Sequence, residues 1–363
     1  MTVTRGKVHV YLGMTIDYSV DGQVTFKMSD FVDEIVKETP EDLTKGVSTT
    51  PAANHLFTTQ EDAQPLSKDD AEMFHHLTAK LLYLGKPAQP DLQLTVSFLA
   101  TRVQSPDIDD WKKLGRCLRY LRDTASLALT LKADSLSEIR WWVDASYGVH
   151  PDCRSHTGAT MSMGQGSIYS KSTKQKINTR SSTEAELVGI NDAMSMILWT
   201  RLFLEAQGVE VSDNIVYQDN QSTMLLAKNG RQSSGKSTRH LEIRYYFVTD
   251  NIRRNRLSLE YCPTEEMIGD FFTKPLQGAL FYKLWSLIMN LKSDKSVVSM
   301  EAERTTSLIE AKECVKSSGS SERSVRHPVR HPGYFDQRRS YADVVQHGAR
   351  AASSRHRKTV IRA

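Results

Sequence analysis

The sequence has 363 residues, of which 39% are hydrophobic and 25% are charged, and this composition is sufficient for a packed core. The formal net charge of +4 is unevenly distributed: residues 315–363 carry a net charge of +8, which leaves −4 for residues 1–314. Four widely separated cysteines form no Cys-x-x-Cys pair, and there is no signal-peptide pattern and no apolar run of about 18 residues. We therefore expect an intracellular protein, cytoplasmic or nuclear, without a disulfide framework, a zinc site or a membrane span.

Residues 1–135 are predicted to form a small β-hairpin followed by helices. Alternating apolar residues indicate the strands, and apolar residues at helical spacing indicate the helices. In chain order, the predicted elements are strands over residues 8–16 and 23–28, a helix capped by Ser29 that stops at Pro40, an extended connection over 41–67, and helices over 68–84, after Pro90 and from Ser105. No residue in these helices suggests catalysis.

Residues 136–292 have a different pattern, in which short apolar strands alternate with helices. The predicted elements are strands over residues 140–146, 158–163, 167–172, 214–218 and 257–261, and helices over 183–207, 222–228, 240–252 and from Thr264. This order predicts an α/β fold with a mixed five-stranded sheet and helices on both faces. Residues 293–363 lose the periodicity and are rich in Ser, Arg and His, which predicts a basic, disordered tail.

Four acidic residues in the second region can meet at one point: Asp144, Glu186, Asp219 and Asp270. Asp144 and Asp219 each follow an apolar β-stretch, so both are expected at strand ends, and the helix after the third strand can bring its first turn to the same edge. Each acid also has a structural alternative as a strand end, a turn acid, a helix-start acid or, for Glu186, a capping box with Thr183. Spacing permits convergence and does not prove it. Converging carboxylates can hold two magnesium ions, an arrangement that hydrolyses phosphodiesters.

Seven sequence blocks around these acids occur in a fixed order. They are Val143-Asp144-Ala145-Ser146-Tyr147-Gly148, Ser155-His156-Thr157-Gly158, Ser172-Thr173-Lys174-Gln175, Ser181-Ser182-Thr183-Glu184-Ala185-Glu186, Gln218-Asp219-Asn220-Gln221-Ser222, Thr238-Arg239-His240-Leu241-Glu242-Ile243-Arg244-Tyr245 and Asp270-Phe271-Phe272-Thr273-Lys274-Pro275-Leu276. Together they resemble the ribonuclease H domain of copia-type LTR retrotransposon polyproteins. The resemblance implies a ribonuclease H-like fold and a magnesium-dependent endonuclease that cleaves the RNA strand of RNA/DNA hybrids.

The resemblance also implies roles for individual residues. Asp144, Glu186, Asp219 and Asp270 would form a quartet that holds two Mg²⁺ ions, with Mn²⁺ as a substitute. We favour Glu186 over Glu184, because ribonuclease H helices present the metal-binding Glu just before an apolar residue, here Leu187. Glu184 stays a competitor. The accessory candidate is His240, which would help product release or proton transfer, or would simply begin a helix.

Two basic runs lie near these acids in the sequence. The first contains Lys171, Lys174, Lys176 and Arg180, and the second begins with Arg239 and Arg244. In an otherwise acidic body, both runs favour contacts with the phosphates of a hybrid, although a solvated face would have the same composition. Recognition of the RNA strand would use its 2′-hydroxyl groups.

The first region contains blocks of its own: Tyr11-Leu12-Gly13-Met14, Lys80-Leu81-Leu82-Tyr83-Leu84, Pro90-Asp91-Leu92, Trp111-Lys112 and Leu118-Arg119-Tyr120-Leu121-Arg122. These blocks resemble the thumb and connection at the end of a copia-type reverse transcriptase, although the usual Arg before Pro-Asp is Gln89. The polymerase turn, Tyr/Phe-x-Asp-Asp, should precede the Leu-Gly block, and the 11 residues before Leu12 contain no acid. We therefore expect a truncated polyprotein fragment without polymerase activity.

The predicted organisation has three parts: a reverse-transcriptase thumb and connection over residues 1–135, a ribonuclease H-like domain over 136–292, and a basic tail over 293–363. The expected partners are an RNA/DNA hybrid and the polymerase part of a retrotransposon polyprotein. Two alternatives stay open. One is a catalytically inactive relic that binds nucleic acid, and the other is a chain that does not fold stably without the polymerase palm.

Overall fold

The computed structural model describes residues 5–60, 62–230 and 242–291, with only the backbone described at 242–245. These residues lie in one compact unit. The strands are β1 (Val8–Tyr11), β2 (Met14–Asp17), β3 (Val24–Lys27), β4 (Leu129–Ala133), β5 (Glu138–Ser146), β6 (His156–Ser162), β7 (Gly164–Gln165), β8 (Tyr169–Lys174), β9 (Asp213–Gln218) and β10 (Ser258–Tyr261). The α-helices are α1 (Ser29–Glu38), α2 (Glu41–Thr44), α3 (Lys68–Gly85), α4 (Gln93–Ala100), α5 (Ile108–Asp123), α6 (Ser182–Ala206), α7 (Gln221–Asn229), α8 (Glu242–Arg253) and α9 (Gly278–Met289), and short 3₁₀ helices span Pro90–Leu92, Thr264–Glu266 and Ile268–Phe272.

The strands form two sheets. The first sheet is antiparallel, in the order β1-β2-β3-β4-β7. The second has the order β10-β9-β5-β6-β8, with parallel pairing from β10 through β9 to β5 and antiparallel pairing from β5 through β6 to β8. The predicted α/β class with a mixed five-stranded sheet is therefore confirmed.

The first region differs from the prediction in three places. The strand predicted over residues 8–16 is wrong, because Leu12 and Gly13 have φ angles of +50° and +73° and turn the chain back, so that β1 pairs with β2. The helix α1 begins at Ser29 itself, and the preceding Met28 makes no side-chain cap. Strand β4 was not predicted. It pairs with β3, more than a hundred residues earlier in the chain, and local periodicity carries no information on such a partner.

The helices α3, α4 and α5 agree closely with the prediction, and they contribute to the first hydrophobic core. Helix α9 follows the second sheet in the chain, yet its apolar face belongs to this first core, together with helices α1, α3, α4 and α5. The indole of Trp285 on α9 and the hydroxyl of Tyr120 on α5 both donate hydrogen bonds to Asp91 Oδ2, at 3.2 and 2.6 Å. The domain boundary near residue 136 stays a prediction, since packing continues across it.

The second sheet presents alternate residues of β5 to its two faces. Ala145 faces α6, whereas Asp144 faces the 3₁₀ helix Ile268–Phe272. Helix α4 covers part of the same face as this 3₁₀ helix, and Gln93 donates a hydrogen bond of 2.5 Å to Ser170 on β8. Helices therefore cover both faces, as predicted, and the packing brings Asp144 towards the segment that carries Asp270.

Helix α6 has the 25 residues that the sequence pattern predicted and begins one residue earlier. By length and composition it could cross a membrane, and 44% of its most apolar window is buried within the protein. Its buried side is packed on the second sheet, where it forms the second core with β5, β6 and β9. The core helix of a globular domain has the same composition, so the sheet contact explains the apolar character of α6.

The α-helix predicted from Thr264 onward is wrong. Two 3₁₀ helices, Thr264–Glu266 and Ile268–Phe272, take its place, and an α-helix forms only after Pro275, from Gly278. The backbone at Asp270 follows the 3₁₀ pattern, because its N–H bonds the carbonyl of Met267 at 3.1 Å. The tail predicted over residues 293–363 lies outside the described residues.

Candidate metal centre

Two of the predicted acids lie at the same edge of the second sheet. Asp144 is near the end of β5, and Asp219 directly follows β9. The two strands are parallel neighbours, with Trp142 opposite Tyr217, so the register continues to place Asp144 opposite Asp219. The carboxyl ends of parallel strands open at one edge, where α/β proteins place their ligands. The side chain of Asp144 is buried and that of Asp219 is half-buried.

Glu186 reaches the same edge from the first turns of α6. This helix is capped by Ser181, whose hydroxyl oxygen accepts a hydrogen bond of 3.2 Å from the N–H of Glu184. The carboxylate of Glu184 accepts a hydrogen bond of 2.7 Å from the N–H of Arg180, so Glu184 serves the helix end. The structural alternative for Glu186, a capping box with Thr183, is wrong, because the N-cap is Ser181, two residues earlier, and Glu184 takes the third helical position.

The three carboxylates meet at the sheet edge. One oxygen each from Asp144, Glu186 and Asp219 lies within 4.8 Å of the other two. Burial raises the pKa of Glu186 well above its usual value, and the nearby Asp144 and Asp219 raise it further. The donor set contains only carboxylate oxygens, the ligands that Mg²⁺ prefers, and opposite ligands of an octahedral Mg²⁺ stand about 4 Å apart. The residues present therefore fit a divalent cation.

Asp270 lies beside this cluster, on the far side of Asp144. Burial raises the pKa of Asp270 to about 7, with a further contribution from the negative charge of Asp144. Its carboxylate forms an ion pair with Lys274, at 2.8 Å between Oδ1 and Nζ. The close approach depends on Gly158 of β6, where an added Cβ would lie only 2.8 Å from the carbonyl oxygen of Gly269. Asp270 is thus brought to the site, but outside the group of three.

Three further polar residues hold these carboxylates, and the sequence alone assigns no role to them. The hydroxyl of Thr273 donates a short hydrogen bond to Asp144. The fully buried Gln218 donates to Glu186 Oε2 at 3.3 Å and accepts the N–H of Asp219 at 2.9 Å. Lys274 pairs with Asp270, as described above. All three stand inside the recognised blocks, but a block does not reveal which neighbour a side chain bonds.

A buried pair of histidines is linked by hydrogen bonds to the segment that carries Asp270. His150 bonds His156 at 2.9 Å, His156 bonds Ser172 Oγ at 2.7 Å, and that hydroxyl donates to the carbonyl of Phe272 at 2.8 Å. Burial lowers the pKa of His150 to about 4 and lowers the pKa of His156 well below its usual value, so both rings are neutral near pH 7. The chain of bonds ties β6 and β8 to the segment that carries Asp270.

A cavity of about 460 Å³ opens next to the carboxylates. Its wall combines residues of the site with residues from the first region of the chain. They include Phe57, Ser146, His150, Thr273, Lys274 and Pro275. The cavity is therefore lined by Thr273 and Lys274, the neighbours of Asp144 and Asp270, and not by the four carboxylates themselves.

The predicted basic residues have different surroundings. Lys171 donates a hydrogen bond of 3.3 Å to the carbonyl of Asp192, and Lys174 forms an ion pair of 2.8 Å with Asp152. Lys176 and Arg180 are exposed. Arg239 and His240 lie outside the described residues, and the side chain of Arg244 is likewise not described. The role of these basic residues and of His240 stays a prediction.

Comparisons with known proteins give relatives but no family model, since none matches the chain. Over 214 residues the chain is 29% identical to the retrovirus-related Pol polyprotein from transposon RE2 of Arabidopsis thaliana, covering 58% of this chain and 14% of that protein. Over 230 residues it is 26% identical to the retrovirus-related Pol polyprotein from transposon TNT 1-94 of Nicotiana tabacum, covering 62% and 17%. The chain thus spans less than a fifth of the length of these relatives.

Among solved structures, an RNase H1 isolated from compost by a metagenomic approach aligns over 38% of this chain and 93% of its own, with 13% identity and a TM-score of 0.28. The second sheet of this chain has the mixed strand order, the helices on both faces and the acidic edge that the sequence analysis predicted. The homologues of the chain are retrovirus-related Pol polyproteins from copia-type transposons, which confirms the resemblance carried by the sequence blocks.

Proposed function

We propose that the domain is a metal-dependent ribonuclease that hydrolyses the RNA strand of an RNA/DNA hybrid. The observation that carries the proposal is the approach of oxygens from Asp144, Glu186 and Asp219 to within 4.8 Å of one another. Carboxylates this close repel one another when ionised, and a bound divalent cation relieves the repulsion. Homology to Pol polyproteins of transposons supports a nucleic-acid substrate.

We propose Mg²⁺ as the cofactor, with Mn²⁺ as a substitute, and Asp270 as the fourth ligand of a two-ion site. Bound there, the two ions would supply an activated water and would stabilise the leaving 3′ oxygen. The chain itself holds the ligands: the Thr273 hydroxyl orients Asp144, and the Gln218 amide orients Glu186. Such hydrogen bonds fix the direction of a ligand oxygen and so tune its affinity for a cation.

The substrate would lie across the acidic edge of the sheet. Lys176 and Arg180, both exposed after β8, are proposed to contact its phosphates, together with Lys171, Lys174, Arg239 and Arg244. His240 is proposed to assist product release or proton transfer. The polymerase part of a retrotransposon polyprotein is the proposed protein partner.

The test is cleavage of an end-labelled RNA/DNA hybrid in Mg²⁺ by the full chain and by Asp219→Asn. Loss of a residue that only orients a metal ligand lowers activity by up to about 100-fold. Loss of the ligand itself should therefore lower the cleavage rate by at least about 100-fold. The matched control is Asp213→Asn, which makes the same chemical change at the exposed beginning of β9 and should leave the rate unchanged.

Cleavage that survives in Asp219→Asn would disprove the proposal, as would no cleavage by a folded wild-type chain. In the second case, hybrid binding with a steep salt dependence would identify a catalytically inactive binding protein. Duplex DNA should resist cleavage, and a chelator should stop cleavage of the hybrid.

A further inference from the structure

The Lys274 ammonium lies next to two of the four carboxylates. Its Nζ lies 2.8 Å from Asp270 Oδ1 and 3.9 Å from Asp144 Oδ2. Among the described residues, no other Lys or Arg forms an ion pair with any of the four carboxylates, so this is the positive charge built into the cluster.

The ammonium divides the carboxylates into two groups. Asp144, Glu186 and Asp219 approach one another closely enough to share one cation, and Asp270 is absent from this group. Asp270 instead forms an ion pair with Lys274, and the same ammonium also lies near Asp144 Oδ2. A cation bound between Asp144 and Asp270 would therefore occupy the space that the ammonium fills, and it would neutralise the same negative charges.

The backbone of Lys274 is held by hydrogen bonds, whereas its side chain is partly exposed. The N–H groups of Thr273 and Lys274 both bond the carbonyl of Asp270, at 3.2 and 2.9 Å. The Lys274 side chain is nevertheless 40% exposed and lines the cavity beside the cluster. It can leave Asp270 for solvent without any change of the backbone.

We propose that Lys274 is a positioning residue whose ammonium stands in for one of the two cations, so that the chain without nucleic acid binds one divalent ion tightly and a second only weakly. The inference rests on the proposed two-metal site. It assigns the tight position to Asp144, Glu186 and Asp219, and the weak position to the space between Asp144 and Asp270. Occupation of the weak position requires the ammonium to leave.

The experiment counts Mn²⁺ ions bound to the full chain without nucleic acid, by electron paramagnetic resonance of the free ion. The wild type should bind one ion tightly, and Lys274→Met should bind two, with the second at least about tenfold tighter than in the wild type. Lys274→Arg keeps the positive charge and should retain the wild-type count. Lys283→Met is the matched control, because this lysine bonds only a backbone carbonyl, that of Glu265 at 2.9 Å, among the described contacts.

Two tight ions in the wild type, or an unchanged second site in Lys274→Met, would overturn the inference and leave the proposed function standing. The proposed function fails on a different arm: Mn²⁺ binding by the wild type that is equally strong in Asp219→Asn, or no binding by either. Thermal unfolding of each variant excludes loss of fold as the cause of a changed count.

Discussion

The two sides of the carboxylate cluster are positioned by different means. Asp144, Glu186 and Asp219 come from a strand, a helix and a strand end, and their places follow from regular secondary structure. Asp270 lies on a 3₁₀ helix whose position depends on packing against β5 and β6. The difference teaches that local sequence is enough to bring three ligands to one edge, whereas the fourth depends on contacts between distant segments.

We call the side formed by Asp144, Glu186 and Asp219 the regular side, and the side formed by Asp270 the packed side. The largest expected effect tests the packed side, through Gly158. A Cβ at this position would lie 2.7 to 2.8 Å from Thr273 Cγ2, the carbonyl oxygen of Gly269 and Phe272 Cβ. Two of these atoms belong to backbone or to the start of a side chain, so they cannot turn away. We expect Gly158→Ala to lower the free energy of unfolding by about 2–3 kcal/mol, as overpacking does elsewhere, measured by urea denaturation.

A matched substitution on the regular side is Gly189→Ala in α6. Its Cβ would meet Ala145, the Asp144 carbonyl and Thr157 at ordinary distances of 3.5 to 3.6 Å. Alanine favours a helix over glycine by about 1 kcal/mol, so this variant should be as stable as the wild type or slightly more stable. Equal stability of the two glycine variants would contradict the proposed difference between the two sides.

The next effect concerns the hydroxyl that joins the two sides. Thr273 donates to Asp144 from the segment that carries Asp270. Thr273→Val keeps the shape of the side chain but removes the donor, and should weaken Mn²⁺ binding by about 10- to 100-fold, as loss of a ligand-orienting partner does. Thr273→Ser keeps the hydroxyl and should bind Mn²⁺ nearly as well as the wild type. If Ser and Val weaken binding equally, the methyl group and not the hydrogen bond is what matters.

Prediction from sequence succeeded where one face of an element is periodic. The strands β5 and β9 and the helix α6 were predicted to within one or two residues, because their apolar residues recur at the periods of a strand or a helix. It failed at Leu12, where an unusual positive φ breaks a strand, and at β4, whose partner is far away in the chain. It also failed after Thr264, where an α-helix was expected and a 3₁₀ helix packs on Gly158.

The site shows the same limit at the scale of single side chains. Convergence of the acids was expected from strand ends and motif order, and the structure brings all four to one edge. The difference between Glu184 and Glu186 depends on whether the N-cap is Ser181 or Thr183, a shift of two residues that periodicity does not resolve. The bond from Thr273 to Asp144 spans 129 positions, so no local pattern predicts it. Polar contacts of this kind require the assembled fold.

The smallest effect concerns charge on the regular side. In the folded, metal-free chain the pKa of Glu186 is raised well above its usual value and that of Asp270 is raised to about 7. Between about pH 4 and pH 7 the folded state therefore binds more protons than the unfolded state, and the free energy of unfolding falls as the pH rises through this range. Glu186→Gln removes one of these groups, so its stability should fall less between pH 5 and pH 8 than that of the wild type.

Magnesium should have the opposite effect on the same comparison. At pH 8, Mg²⁺ at ten times its Kd should raise the stability of the wild type by about 1.4 kcal/mol, and that of Glu186→Gln by less, since one ligand charge is gone. The control is Glu205→Gln, on the same helix but in an exposed ion pair with Arg201, which should follow the wild type in both measurements. If the free energy of unfolding depends on pH in the same way in Glu186→Gln and in the wild type, repulsion within the buried cluster does not act on Glu186. The regular side would then contribute geometry alone, and the electrostatic cost would lie with Asp270, whose charge Lys274 offsets.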